Sequence, residues 1–229
     1  MKRSNLLVAG ISFAILISLG GLRPSFGQLH NLSDKLPKFE VGAQFTSLTK
    51  PDNFSNSTEP GFGGRFTFNL NRSVALEAVG NLFPHSCSFC GGNLGDNSGI
   101  IKQGLFGLKA GKRFEKWGLF GKVRPGVVTF GQGKTIYILT GTGSSTSISV
   151  RREGQSNFAT DLGGVIEFYP SKRVVTRFDL GDTLIHYPSR QGNFLSFDPT
   201  TSSPILIPFT TRSETRHNFQ FAAGVGWRF

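Results

Sequence analysis

Five acids and six bases fall on the polar side of a two-residue alternation that runs through the chain: Glu40, Glu77, Asp161, Glu167 and Asp179 with Arg65, Lys109, Lys122, Arg124, Arg177 and Arg228. On a solvated sheet face such charges are ordinary. If the sheet closes with this face inward they must neutralise one another, because an ion taken out of water without partners is strongly penalised. A network of this kind either fills a narrow lumen or re-pairs to let small ions through. The filled lumen is the expectation, and a narrow or gated small-solute porin is the alternative.

Two further groups have the residue types for chemistry. Cys87 and Cys90 are the only cysteines and stand in Ser86-Cys87-Ser88-Phe89-Cys90-Gly91-Gly92. A Cys-x-x-Cys pair can be a redox site, but that chemistry belongs at a helix N-terminus in a thioredoxin-like fold, which this pattern lacks. In an exported chain the expectation is a small disulfide that tightens a loop. Metal binding would need more ligands than His85, the one neighbour of suitable type, so no metal and no cofactor is expected. Asp182 and His186 share one strand face, with Ser189 just beyond. Pro188 does not suit a catalytic strand, so these read as polar groups at a boundary and the chain as non-enzymatic.

The elements that must position these groups are strands. Lys2 and Arg3 precede an uncharged apolar run from Leu6 to Leu22, followed by Arg23, Pro24 and the small-residue site Ser25-Phe26-Gly27. Residues 1–27 are expected to be an export signal cut before Gln28. A transmembrane anchor is the alternative, but a spanning helix wants about 20 apolar residues, and Gly10, Gly20 and Gly21 interrupt this run. The remaining 28–229 form one domain, rich in Gly (30) and Phe (23) over the whole chain and carrying 22 Lys+Arg against 14 Asp+Glu. From Pro37 onward apolar residues recur with period two, as in Phe39, Val41, Ala43 and Phe45 against Glu40 and Gln44, or Phe219, Phe221, Ala223, Val225, Trp227 and Phe229 against Asn218, Gln220 and Arg228. This predicts strands at 37–49, 61–69, 74–83, 100–112, 117–130, 155–168, 173–186 and 216–229, joined by 11, 4, 16, 4, 24, 4 and 29 residues. Short and long connections alternate throughout. The expected fold is all-β, an eight-stranded antiparallel up-and-down transmembrane β-barrel, with strands long enough for the ~9–11 residues that a tilted membrane strand needs. A soluble β-sandwich also alternates, but its outer face is more richly charged, and only closure removes the edges that hydrocarbon would not tolerate.

The final strand carries a recognisable ending. Val225-Gly226-Trp227-Arg228-Phe229 resembles the C-terminal signal by which the barrel assembly machinery selects outer-membrane precursors. With Gly118-Leu119-Phe120-Gly121-Lys122-Val123-Arg124-Pro125-Gly126, it makes the 28–229 segment resemble the OmpA-type outer membrane protein β-barrel domain family. That resemblance implies a bacterial outer-membrane location and an assembly role for Val225, Trp227 and Phe229. No segment is left for the periplasmic peptidoglycan-binding domain of full OmpA-like proteins, so wall tethering is not expected. Some eight-stranded barrels are lipid A-modifying enzymes, a further alternative, yet His186-Tyr187-Pro188-Ser189 lacks the His-x-Ser spacing of the deacylases.

The positive balance does not point to nucleic acid. The long connections hold six basic and six acidic residues, while the short turns contribute Arg72, Arg113, Lys116 and Lys172 against Glu115 alone. Cations there suit the anionic headgroups of outer-membrane lipids, and Phe114, Trp117, Tyr169 and Trp227 at the same level read as an aromatic girdle. The connections 131–154 and 187–215 are expected to contact the exterior and to serve surface structure, adhesion or contact with an extracellular ligand. In the first, Ile136–Leu139 and Ile148–Val150 predict a hairpin that continues the barrel; ten spanning strands are disfavoured because those arms are short. The second holds Pro204-Ile205-Leu206-Ile207-Pro208-Phe209, an apolar stretch suited to covering the mouth or contacting a ligand.

Overall fold

The computed structural model describes residues 37–51, 56–86, 98–141 and 146–229, so the expected signal segment 1–27 and the pair Cys87 and Cys90 lie outside the described residues. There are ten described strands: β1 (Phe39–Pro51), β2 (Asn56–Asn69), β3 (Val74–Ser86), β4 (Ser98–Arg113), β5 (Trp117–Thr140), β6 (Ser147–Phe168), β7 (Val174–Tyr187), β8 (Arg190–Phe197), β9 (Pro204–Thr211) and β10 (Glu214–Arg228). Eight of them close into an antiparallel barrel in the order β1-β10-β7-β6-β5-β4-β3-β2, as the alternation predicts, while β8 and β9 form a separate hairpin. The seam is β1 against β10, in register from Glu40↔Arg228 to Leu48↔Gln220. Just past it the Phe229 amide donates to the Phe39 carbonyl at 2.9 Å, so the last residue helps complete the ring of hydrogen bonds.

Local chemistry sets the ends of the strands. At one end the turns are tight: Asn71 Oδ1 accepts from the amides of Ser73 and Val74, both at 2.8 Å, and Ser171 Oγ from those of Arg173 and Val174 at 3.3 and 3.1 Å. Short polar side chains that bond the backbone two or three residues on are what such turns require. At the opposite, long-loop end, β5 and β6 continue as a hairpin paired from Lys134↔Glu153 to Thr140↔Ser147, after a register shift between Phe130 and Lys134. That hairpin agrees with the one expected from residues 136–139 and 148–150. The connection 187–215, by contrast, is not irregular. It pairs Arg190↔Thr211 through Phe197↔Pro204. Its tip is organised by Asp198, whose Oδ1 accepts from the amides of Thr200 and Thr201 at 2.7 and 3.3 Å; these bonds hold its carboxyl below the usual carboxylate range.

Near Pro125 two barrel glycines leave no room for a side chain. Pro125 has no amide to give, and the β4–β5 register passes from Leu105↔Gly126 to Leu108↔Val123 without it. A Cβ on Gly107 would stand 2.0 Å from the Val123 carbonyl, and one on Gly126 2.0 Å from that of Gly104.

The barrel is inside-out relative to a water-soluble one. Phe45 is 79% exposed and Phe106 59%, and Phe62, Phe66, Leu119, Val123, Phe158, Leu180, Phe219 and Val225 likewise face outward. The fully buried side chains include Arg177, Lys109, Glu40, Glu77 and Glu167.

Candidate functional site: a filled lumen below a basic and aromatic cleft

All eleven charges placed on the polar parity point into the lumen and are buried. Glu77 is their hub: its carboxylate takes the Arg177 guanidinium through both terminal nitrogens, Nη2 at 2.9 Å, and lies 3.5 Å from Lys109 Nζ and 3.4 Å from Arg124 Nη1. Arg177 also donates twice to Asp179 at 2.8 Å, and Lys109 reaches Glu167 at 2.5 Å. Arg124 holds Asp161 through Nε at 2.9 Å, and Lys122 sits between Asp161 and Asp179 at 3.0 and 3.4 Å. Arg65 is at the margin, 3.9 Å from Asp179 and donating to Gln44 at 3.3 Å. Nearer the short turns, Arg228 Nε donates to Glu40 at 3.2 Å.

Two residues assigned to the rim by sequence belong to this network. Arg113, read as a turn cation, is the last residue of β4 on the inward parity of Leu105 and Lys109. Its guanidinium lies 3.5 Å from Glu40 and 3.7 Å from Glu167 and donates to the Tyr169 hydroxyl at 3.0 Å. Tyr169, read as part of the girdle, turns inward: its hydroxyl donates to Glu167 at 2.9 Å, and Arg228 covers its ring at 4.5 Å. Strand β4 runs one residue further than its expected end, which carries Arg113 into the lumen.

Two layers above the charges escaped the sequence reading. The first is a belt of amides: Gln44 donates to Asn81 at 2.9 Å, Asn81 to Gln103 at 2.6 Å, and Gln103 and Gln220 to each other at 3.0 and 3.1 Å. Thr46 accepts from Gln220, and Thr183 donates to it. The second is an apolar seal at the long-loop end, where Leu48, Phe83, Ile101, Val128, Ala159 and Ile185 pack together, each 3% exposed or less. Their signal was an apolar residue on the inward parity, as at Leu48 after Gln44 and Thr46. From the short turns upward the described lumen is thus ionic, then amide, then mainly apolar, with Glu59 buried opposite Leu48 at the last level. An apolar constriction opposes wetting, so this order suits closure rather than conduction.

Above the seal, the β5 extension, the β8–β9 hairpin and the start of β10 enclose a cleft of about 440 Å³. Lys134, Arg190 and Arg212 line it with Tyr137, Tyr187, Phe194 and Phe209, the amides of Gln155, Gln191 and Asn193, and Glu214. Arg190 ties the hairpin to the barrel by donating to Asn157 Oδ1 at 2.9 Å. Glu214 is engaged by Arg216 at 2.6 Å.

Asp182 and His186 are not brought together. Asp182 meets His217 across the β7–β10 pair at 2.5 Å, whereas His186 faces Thr215 Oγ1 at 3.2 Å. Ser189 is exposed beyond the end of β7. No group of three or more His, Cys, Asp or Glu residues among the described residues is arranged to hold a metal.

No family model and no curated protein matches the chain. Solved structures do match over most of its length. Neisserial surface protein A is 9% identical, with 84% of this chain and 97% of that chain covered and a TM-score of 0.50. The attachment invasion locus protein Ail of Yersinia pestis is 12% identical over 85% and 99%, with a TM-score of 0.46. The outer membrane protein OprG of Pseudomonas aeruginosa is 12% identical over 85% and 97%, with a TM-score of 0.42. At this identity the likeness is one of fold.

Proposed function

We propose that the chain is an exported, non-enzymatic barrel of the small OmpA-type kind, inserted in a bacterial outer membrane, with a closed lumen and with long-loop hairpins that contact an extracellular ligand. The observation that carries this reading is the inversion of the barrel. Its outward face is a continuous apolar belt and its inward face is charged. In water each large outward side chain would forgo about 1.5–3 kcal/mol of burial. In hydrocarbon the same face is solvated, and every strand has a paired neighbour, as a membrane demands. The short turns then lie at the periplasmic side, where Arg72, Lys116 and Lys172 meet lipid headgroups, and the hairpins lie outside the cell. Val225, Trp227 and Phe229 serve the assembly machinery as its recognition signal.

Only two tryptophans occur, and both lie outward at the short-turn rim: Trp117 at the start of β5, stacked on Phe114 at 4.2 Å, and Trp227 near the end of β10. Refolded into vesicles of brominated lipids, the protein is expected to be quenched most by bromines close to the headgroup, both as wild type and as the single-tryptophan variant Trp117→Phe. Absence of quenching, or strongest quenching from the bilayer centre, would contradict the membrane placement.

A further inference from the structure

We infer that the cleft between the β5–β6 extension and the β8–β9 hairpin binds an acidic oligosaccharide. This names the ligand class for the surface contact proposed above and rests on that reading. At about 440 Å³ the cleft falls within the ~300–1,000 Å³ typical of ligand sites. Its charge is unbalanced: Glu214 is already held by Arg216, and Glu153, opposite Lys134 in the ladder, by Arg151 at 3.2 Å. Among the described residues no carboxylate makes an ion pair with Lys134 or Arg212, so two cations remain for anionic groups of a ligand.

The rest of the lining narrows the class. Phe194 and Phe209 sit 6.2 Å apart and remain 45% and 43% exposed, so their rings are open to a ligand in the cleft. Pyranose rings present flat C–H faces suited to such surfaces, and their hydroxyls match side chains that both donate and accept, here Gln155, Gln191 and Asn193. A nucleic-acid strand also pairs aromatics with cations but needs a basic groove that continues along its backbone. Here the adjoining hollow is lined by Gln191, Gly192, Asn193, Pro208, Phe209 and Thr210 and carries no charge.

The test is calorimetric titration of the refolded full chain in micelles with four probes: sulfated maltotriose, unsulfated maltotriose, a hexaglutamate peptide and an oligothymidylate. The sulfated sugar is expected to bind best. Lys134→Ala combined with Arg212→Ala should weaken it at least about tenfold, Phe209→Ala several-fold, and Lys116→Ala at the opposite rim not at all. A heat-shifted gel band checks that each variant is folded. No binding of the sulfated sugar, equal or tighter binding of the peptide, the oligonucleotide or the neutral sugar, or an unchanged Phe209→Ala affinity would overturn the inference. A silent titration on protein whose tryptophans are quenched at the headgroups would remove the ligand and leave the membrane reading intact.

Discussion

Glu77→Ala is expected to lower the stability of the refolded barrel by about 3–5 kcal/mol, the range for stripping a buried ion pair of one partner. Glu77 touches Arg177, Lys109 and Arg124 at once. With Arg113 counted, the described ionic layer at the short-turn end holds seven bases against five acids, so the loss of one acid leaves more positive charge facing itself in a buried interior. Removing a base is milder: after Arg124→Ala, Asp161 keeps Lys122 at 3.0 Å and Glu77 keeps Arg177. Lys134→Ala, at an exposed position, should cost well under ~1 kcal/mol. Urea unfolding in micelles gives all three values. The expected order of damage is Glu77, then Arg124, then Lys134; equal midpoints would mean that the lumen is wet.

Deletion of Phe229 should act on a different quantity. Its side chain is 65% exposed, and its backbone contributes hydrogen bonds to Phe39 at the end of an otherwise paired seam. The completed barrel should lose no more than about 1.5–3 kcal/mol with the side chain, so refolding into detergent is expected to be nearly normal. If the terminal Val225, Trp227 and Phe229 are read before the barrel exists, the yield of the same variant in the outer membrane of cells should collapse. Normal yield in cells, with normal refolding, would remove the assembly role and weaken the OmpA-type reading with it.

The parts of this fold that were legible in sequence are those where the two faces of a strand differ in chemistry. Phe219, Phe221 and Val225 against Asn218, Gln220 and Arg228 leave no doubt about parity, and parity alone puts all eleven charges inside. Near the long-loop end the contrast changes sense: Leu48 faces inward between the polar Ser47 and Thr49, and Phe83 follows the outward Leu82, so the inward face there is no longer the polar one and parity does not reveal the seal. The amide belt was missed for another reason. Gln44, Asn81, Gln103 and Gln220 were each visible as polar, but their meeting at one level depends on how four strands are staggered, and register is a property of pairs. The β8–β9 hairpin was hidden by Gly192, Pro204 and Pro208, which read as loop chemistry; Pro204 and Pro208 are tolerated in β9 because it has a partner on one side only. The cleft inherits that gap, since Arg190, Phe194, Phe209 and Arg212 converge only when the hairpin exists.

Whether the lumen is closed is decided by planar-bilayer recording of the refolded wild-type protein. Ionic contacts at the short-turn end, bonded amides at mid-height and the Leu48, Phe83, Ile101, Val128, Ala159 and Ile185 seal occupy the described lumen at three successive levels. The wild type should therefore pass no more current than the bare membrane across the accessible voltage range. Steady, ohmic openings on the nanosiemens scale would mean that the lumen is open and that the barrel is a porin.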